Sequence, residues 1–325
     1  MRVITRHIDH PSRSDVYRVY AFGDLHLGNI HSNETALRML VKRIEADDNA
    51  YWIGMGDYCD FINLHDPRFD PRDIPGWLMG GDELADIARA ESDHIANILA
   101  PIKTKCLGLI AGNHEEKLLQ HSECDAYSRL VEALADGKHD HRLDHRGIVS
   151  LVFSRQGGGG MTVNLYATHG STSGRTQGAA ANNLSNLMAQ VDNIDVVLQG
   201  HLHKGQHLQM AKFRPGRAKT RAVTIHGITI PPLVTDMRYA ESKDSAAVSE
   251  GYAVITIDHD KRRISAALHT IEGGAYGAER VSTLGSLRWR RWCSGLLAAE
   301  QVAVVRGADR RAQALPRAGG DVPAG

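Results

Sequence analysis

The chain has 325 residues, and Lys+Arg and Asp+Glu both total 38, so it can bury a large core and carries no net basic or acidic field. That balance argues against a broadly cationic nucleic-acid or membrane-surface protein and leaves room only for a local basic groove. Four cysteines without C-x-x-C spacing, Cys59, Cys106, Cys124 and Cys293, argue against a structural zinc knot and read as reduced, mostly buried thiols of a cytoplasmic protein.

Taken in chain order, the amino terminus lacks the apolar stretch of a signal peptide, and nothing later approaches about 18 consecutive apolar residues, so no membrane partner is expected. The first apolar run, 19–22, predicts a strand and ends in Asp24-Leu-His26. Ser32 or Asn33 can cap a following helix, in which Leu37, Leu40, Val41 and Ile44 recur at helical spacing. A second strand at 51–55 ends in Gly56-Asp57-x-x-Asp60.

Residues 60–82 then form a Pro- and Asp-rich connection without periodicity, read as a substrate rim because it leaves directly from a motif. A helix at 83–99 leads to a strand at 106–111, which ends in Gly112-Asn113-His114-Glu115, and another helix is expected near 125–135. From residue 148 short alternating runs predict a mainly strand half, at 148–153, 161–167, 195–198, 207–213, 222–230, 252–258 and 263–271, with one helix at 177–190. Two of these strands end in Thr168-His169-Gly170 and Gly200-His201-x-His203.

Beyond about residue 280 the composition turns Arg-rich and Lys-free. This divides the chain into a domain at 1–280 that carries all five motifs and a flexible tail at 281–325, with one short helix at 296–305. His139, His141 and His145 read as a solvated loop, His94 as a helix-boundary residue, and Cys59 as a small core side chain rather than a nucleophile.

Carboxylate, amide and imidazole at the ends of buried strands put ligands on one rim of a sheet, where α/β proteins place their sites. Asp, His and Asn together suit intermediate divalent ions such as Mn, Fe or Zn. Seven candidate ligands, Asp24, His26, Asp57, Asn113, His169, His201 and His203, are too many for one tetrahedral ion. They suit two ions about 3.5–4 Å apart that share a carboxylate and a water.

With five motifs intact and in order over roughly residues 16–271, the chain resembles the calcineurin-like metallophosphoesterases. The resemblance implies an α/β fold, a four-layer α/β/β/α sandwich of two mixed sheets with a dimetal site at the strand ends. It further implies that Asp24, His26 and His203 hold one metal, that Asn113, His169 and His201 hold the other, and that Asp57 bridges them. A bridging hydroxide would attack phosphorus, and His114, positioned by Asp60, would act as general acid.

Two departures narrow the substrate. The Arg-Gly that follows Gly-Asp-x-x-Asp in the related protein phosphatases is replaced by Phe61-Ile62, and the arginine of the related lipid A pathway hydrolases is replaced by His114. The expected function is therefore a phosphodiesterase or nuclease, with nucleic acid among the candidate substrates. The alternatives are a phosphomonoesterase and a non-catalytic binding protein on the same fold. Arg68, Arg72, Lys117 and Arg175 are the candidate phosphate contacts.

Overall fold

The structure, a computed structural model, describes residues 1–281 apart from 11, 13, 64, 65, 81, 83, 85, 123, 155–159, 171–175, 217, 236–247 and 272–278. The expected tail with its 296–305 helix, Cys293 and Arg175 lie outside the described residues.

Strands are numbered in chain order. One sheet has the order β1 (Arg2–Asp9), β6 (Arg146–Ser154), β7 (Met161–Thr168), β8 (Val196–Gln199), β10 (Arg221–Thr229) and β9 (Gln206–Arg214). The other has the order β13 (Glu279–Val281), β12 (Arg263–Ile271), β11 (Glu250–Asp258), β2 (Val16–Phe22), β3 (Ala50–Gly54), β4 (Cys106–Ile110) and β5 (Arg142–Asp144). Both sheets are mixed. Strands β2 to β5 run parallel while β11 to β13 are antiparallel additions, and β7, β8 and β10 run parallel between antiparallel neighbours β6 and β9.

The inner faces of the two sheets close on one apolar core, with Val19, Ala21, Ile53, Met55 and Ile110 from one side and Val149, Leu151, Phe153, Val163, Leu165 and Leu198 from the other. The outer face of the larger sheet, with Phe22, Trp52 and Leu109, is covered by α1 (Glu34–Ala46), α2 (Ile87–Leu99) and α4 (Ala126–Ala133). The outer face of the smaller sheet is covered by α5 (Gln177–Gln190), through Leu184 and Met188 against Tyr166, Val197 and Ile225. The result is the expected four layers, α/β/β/α.

Local sequence accounts for the helix starts. Asn33 accepts a hydrogen bond from Ala36 N–H, and Asp125 and Thr176 do the same for Ser128 and Ala179, each satisfying an otherwise orphaned donor. A further helix, α3 (Asn113–Ser122), begins inside the third motif and precedes the one expected near 125–135, which spans Ala126–Ala133.

Elements β1 and β5 go beyond the expectations. In β1 the inward positions include Arg6, which breaks the apolar alternation. It is nonetheless buried, with Nη2 donating to Cys106 O at 2.8 Å and meeting His141 Nδ1 at 3.0 Å. His141 is accordingly buried and not part of a solvated loop, while the side chains of His139 and His145 are 42% and 69% exposed. The 60–82 connection is also more ordered than its composition suggests. It contains two short helical turns, Pro71–Asp73 and Gly76–Leu78, and a small core of Ile74 and Leu78 against Ile87, with Phe69 and Trp77 packed on it.

Candidate metal centre

Each motif follows the carboxyl end of a strand: β2, β3, β4, β7 and β8 run into Asp24, Asp57, Asn113, His169 and His201. The first two loops are zipped together, since the N–H groups of Leu25 and His26 both donate to Asp57 O, at 2.8 and 3.2 Å. Across the sandwich, His201 N–H donates to Asp24 Oδ2 at 3.0 Å, and His169 Nδ1 meets Met55 O at 2.7 Å. A carbonyl only accepts, so Nδ1 carries the proton and Nε2 is left facing the site.

Close approach and backbone shape explain the local residues. Asp24, His26, Asp57, His201 and His203 all have φ between 46° and 68°, the left-handed region where Asp and His are enriched among non-glycine residues. Gly56 has φ 90°, and a Cβ there would lie 2.7 Å from His169 Nδ1. A Cβ on Gly112 would lie 2.1 Å from Asp57 N, so the second and third loops can touch only through glycine.

The expected ligands converge in two groups. Ligand atoms of Asp24, His26 and His203 lie within 4.8 Å of one another, and so do those of Asp57, His169 and His201. Asn113 Oδ1 joins the second group at 3.1 Å from His169 Nε2. Asp57 also falls within 4.8 Å of His26 and His114, which puts its carboxylate between the two groups. No expected ligand is left out.

The donor set fits divalent ions. His26 Nε2 and His203 Nε2 face each other at 3.3 Å, an approach that requires a proton or a cation between the two lone pairs. Asp24 Oδ1, fully buried and 3.3 Å from His203 Nε2, has no hydrogen-bond partner among the described residues. A buried carboxylate oxygen with no donor is costly unless a charge faces it.

The buried carboxylates also draw positive charge into the cluster, while burial keeps two of its imidazoles neutral. Burial alone would raise the Asp57 carboxyl, but His169, His114 and His26 hold it well below the usual carboxylate range. Burial pulls His169 down, yet Asp57, then Asp24 and the Met55 carbonyl, push it up to about 10. His26 and His201 are pushed down by burial, the direction that favours the neutral, metal-ligating imidazole.

Beside the cluster, His114 is buried, with Nδ1 2.6 Å from the backbone carbonyl of Asp60 and 3.5 Å from its Oδ1. The Asp60 carboxylate lies closer to His26 Nδ1, at 3.3 Å, and accepts from Asn29 Nδ2 at 3.0 Å. Asp60 therefore sits between the expected acid and an expected ligand. Among the candidate phosphate contacts, Arg68 Nη1 lies 3.4 Å from His114 Nε2, whereas Arg72 and Lys117 are exposed.

Residues 17–205 match the family model for calcineurin-like phosphoesterases. The chain belongs to that family. This calcineurin-like phosphoesterase is similar to solved structures of Chaetomium thermophilum Vps29, at 11% identity and TM-score 0.36, covering 82% of this chain and 93% of that one. It is also similar to Haemophilus influenzae NAD nucleotidase (NadN), at 11% identity and TM-score 0.35, covering 83% of this chain and 54% of that one, so it spans about half of NadN. No curated protein matches it significantly.

Three residues of this phosphoesterase were not singled out by sequence for the roles they hold. Glu115 accepts backbone N–H bonds from Gly112 at 2.8 Å, Asp57 at 3.1 Å and Tyr58 at 2.8 Å. Glu91, from α2, accepts from Phe61 N–H at 2.8 Å. Asn29 orients Asp60. Only Glu115 carried a signal, its place in the third motif. Cys59 is buried, with Sγ donating to Glu91 O at 3.4 Å and its thiol pushed well up by burial, the state of an inert core residue.

Proposed function

We propose that the chain hydrolyses phosphoesters with two divalent ions, one held by Asp24, His26 and His203, the other by Asn113, His169 and His201, with Asp57 shared between them. Manganese, iron and zinc suit this donor set best. When bound, such a pair supplies Lewis acidity at the phosphoryl oxygens and an activated water. His114 would act as the acid in its imidazolium form, which presents a proton on Nε2 to the leaving oxygen while the Asp60 carbonyl accepts from Nδ1–H.

The observation that carries this reading is the placement of the His114 ring next to the converging ligands, with an arginine 3.4 Å from its Nε2. A non-catalytic protein on this fold would have no use for an oriented imidazole at that point. We favour a phosphodiesterase or nuclease over a phosphomonoesterase, because the Arg-Gly of the protein phosphatases is replaced by Phe61-Ile62.

No helix among the described residues is long and apolar enough to cross a membrane. A cytoplasmic location remains our reading of the reduced cysteines. We place the catalytic domain at 1–280, with β13 carrying its sheet to Val281. Truncation after Ser282 is expected to leave turnover of small esters intact, and loss of folding would move that boundary.

The test is a panel at fixed salt with added manganese: a chromogenic phosphodiester, a chromogenic monoester, single-stranded and duplex DNA, RNA and cyclic nucleotides. Turnover of diesters well above monoesters supports the reading. Turnover confined to monoesters selects the phosphatase, and none on any ester returns the chain to a binding role.

A further inference from the structure

The 60–82 connection contains the same tripeptide twice, Asp66-Pro67-Arg68 and Asp70-Pro71-Arg72. In both copies the aspartate folds back on its own arginine. Asp66 Oδ1 accepts from Arg68 N–H at 2.8 Å and from Nε at 3.0 Å, and Oδ2 accepts from Nη2 at 2.7 Å. Asp70 repeats the pattern, with Oδ1 accepting from Arg72 N–H at 2.9 Å and from Nε at 2.9 Å. Each turn is therefore a device for fixing a guanidinium that would otherwise lose rotamer freedom on binding.

The two copies differ in where they point. The Arg72 side chain is 72% exposed on the outside of the loop. The Arg68 side chain is 24% exposed and sends its Nη1 corner to within 3.4 Å of His114 Nε2. Two features hold the first copy in place. Phe69, the next residue, packs against Ile74, Leu78 and Ile87, and Asp73 O accepts from Ile30 N–H at 2.8 Å, which ties the connection to the loop after the first motif. Arg68 is thus a fixed cation at the point where a leaving oxygen would meet the acid.

We propose that Arg68, held by Asp66, binds a phosphoryl oxygen of the substrate beside His114 and takes the place of the guanidinium clamp that Phe61-Ile62 removes. Asp66 is a positioning residue, since it occupies the Nε and Nη2 edge and thereby turns Nη1 to the site. On substrate entry Arg68 Nη1 donates to a phosphoryl oxygen instead of to His114 Nε2, which frees Nε2 to take up a proton from solvent and pass it to the leaving oxygen. The inference rests on the phosphoester reading of the site.

The experiment uses the full chain loaded with manganese and measures binding of inorganic phosphate by calorimetry, alongside kcat/KM on a chromogenic diester and metal content. Arg68→Ala is expected to weaken phosphate binding about 10–100-fold with metal content unchanged, the range for a lost charge-assisted hydrogen bond. Added methylguanidinium should restore part of the loss in Arg68→Ala and do nothing to the parent. Asp66→Asn should show a smaller loss, and Arg72→Ala, the second copy of the same turn, none.

Phosphate affinity within about twofold of the parent in Arg68→Ala, no rescue, or an equal loss in Arg72→Ala would overturn the assignment. Loss of metal in Arg68→Ala would also overturn it, in favour of a structural role. If the loaded parent binds no phosphate and turns over no ester, the phosphoester reading itself fails, a result distinct from any effect of Arg68.

Discussion

Glu115 Oε2 accepts a hydrogen bond from the backbone N–H of Asp57 at 3.1 Å, so the last residue of one motif fixes the backbone that carries the proposed bridging carboxylate of another. The same oxygen accepts from Gly112 N–H, and Oε1 accepts from Tyr58 N–H. Burial and then the Asp57 charge push the Glu115 carboxyl up to about 7, against the pull of the Tyr58 N–H and of His169 and His114. A glutamine has one acceptor oxygen where this site uses two. Glu115→Gln is therefore expected to cost about 1–3 kcal/mol of stability, the range for a buried donor left unsatisfied, and to loosen metal binding. Urea unfolding and metal retention on dialysis measure both, and a variant matching the parent in both would show that Glu115 does not brace Asp57.

Glu91 gives a pH dependence away from the ligands. Burial, together with the nearby Asp60 and Glu115 charges, raises its carboxyl well above the ordinary value, while the Phe61 N–H pulls it back. A raised carboxyl binds its proton more tightly in the folded chain. Its stabilising contribution is thus present below the ordinary range, about pH 4.3, and is lost as pH rises toward the raised value, by at most about 1.4 kcal/mol per pH unit. Glu91→Gln keeps an acceptor for Phe61 and carries no charge. Its stability relative to the parent should grow from acid toward neutral pH, and parallel pH profiles of urea unfolding would mean that Glu91 ionises freely.

His114→Ala should slow esters with poor leaving groups far more than those with good ones. A protonated imidazole matters only where the departing alkoxide is too basic to leave alone, and general-acid help is typically worth about 10²–10⁴-fold. p-Nitrophenolate should leave with little assistance, and a nucleoside alcohol should not. Asp60→Asn should give a milder form of the pattern. The measurement is kcat/KM over leaving groups of graded pKa with metal content unchanged, and equal losses throughout would withdraw the acid role.

The sequence shows the site more fully than its supports, for a physical reason. The candidate ligands at strand ends are polar residues directly after apolar runs, so Asp24, Asp57, Asn113, His169 and His201 stand out against β2, β3, β4, β7 and β8. The elements that escaped notice lack that contrast. Strand β1 hides its period behind buried Arg6, and the three-residue β5 is too short to show one. Helix α3 starts inside a motif, so no cap precedes it.

Bracing residues were hidden for another reason. Glu91 acts on Phe61, 30 positions away, and nothing local in an amphipathic helix separates a buried glutamate from an exposed one. Arg68 was one of four candidate arginines and lysines, and only packing of the 60–82 connection turns it, and not Arg72, toward His114.

The central claim is that one chain holds two divalent ions through a shared Asp57. Protein purified without chelator, reloaded with manganese and freed of excess metal is to be analysed by mass spectrometry beside Asp57→Asn, with turnover followed during loading. The account predicts saturation at about two ions per chain, activity that depends on both, and weakened binding of both in Asp57→Asn. Saturation at one ion per chain with full activity, or loss of one ion only in Asp57→Asn, would contradict it.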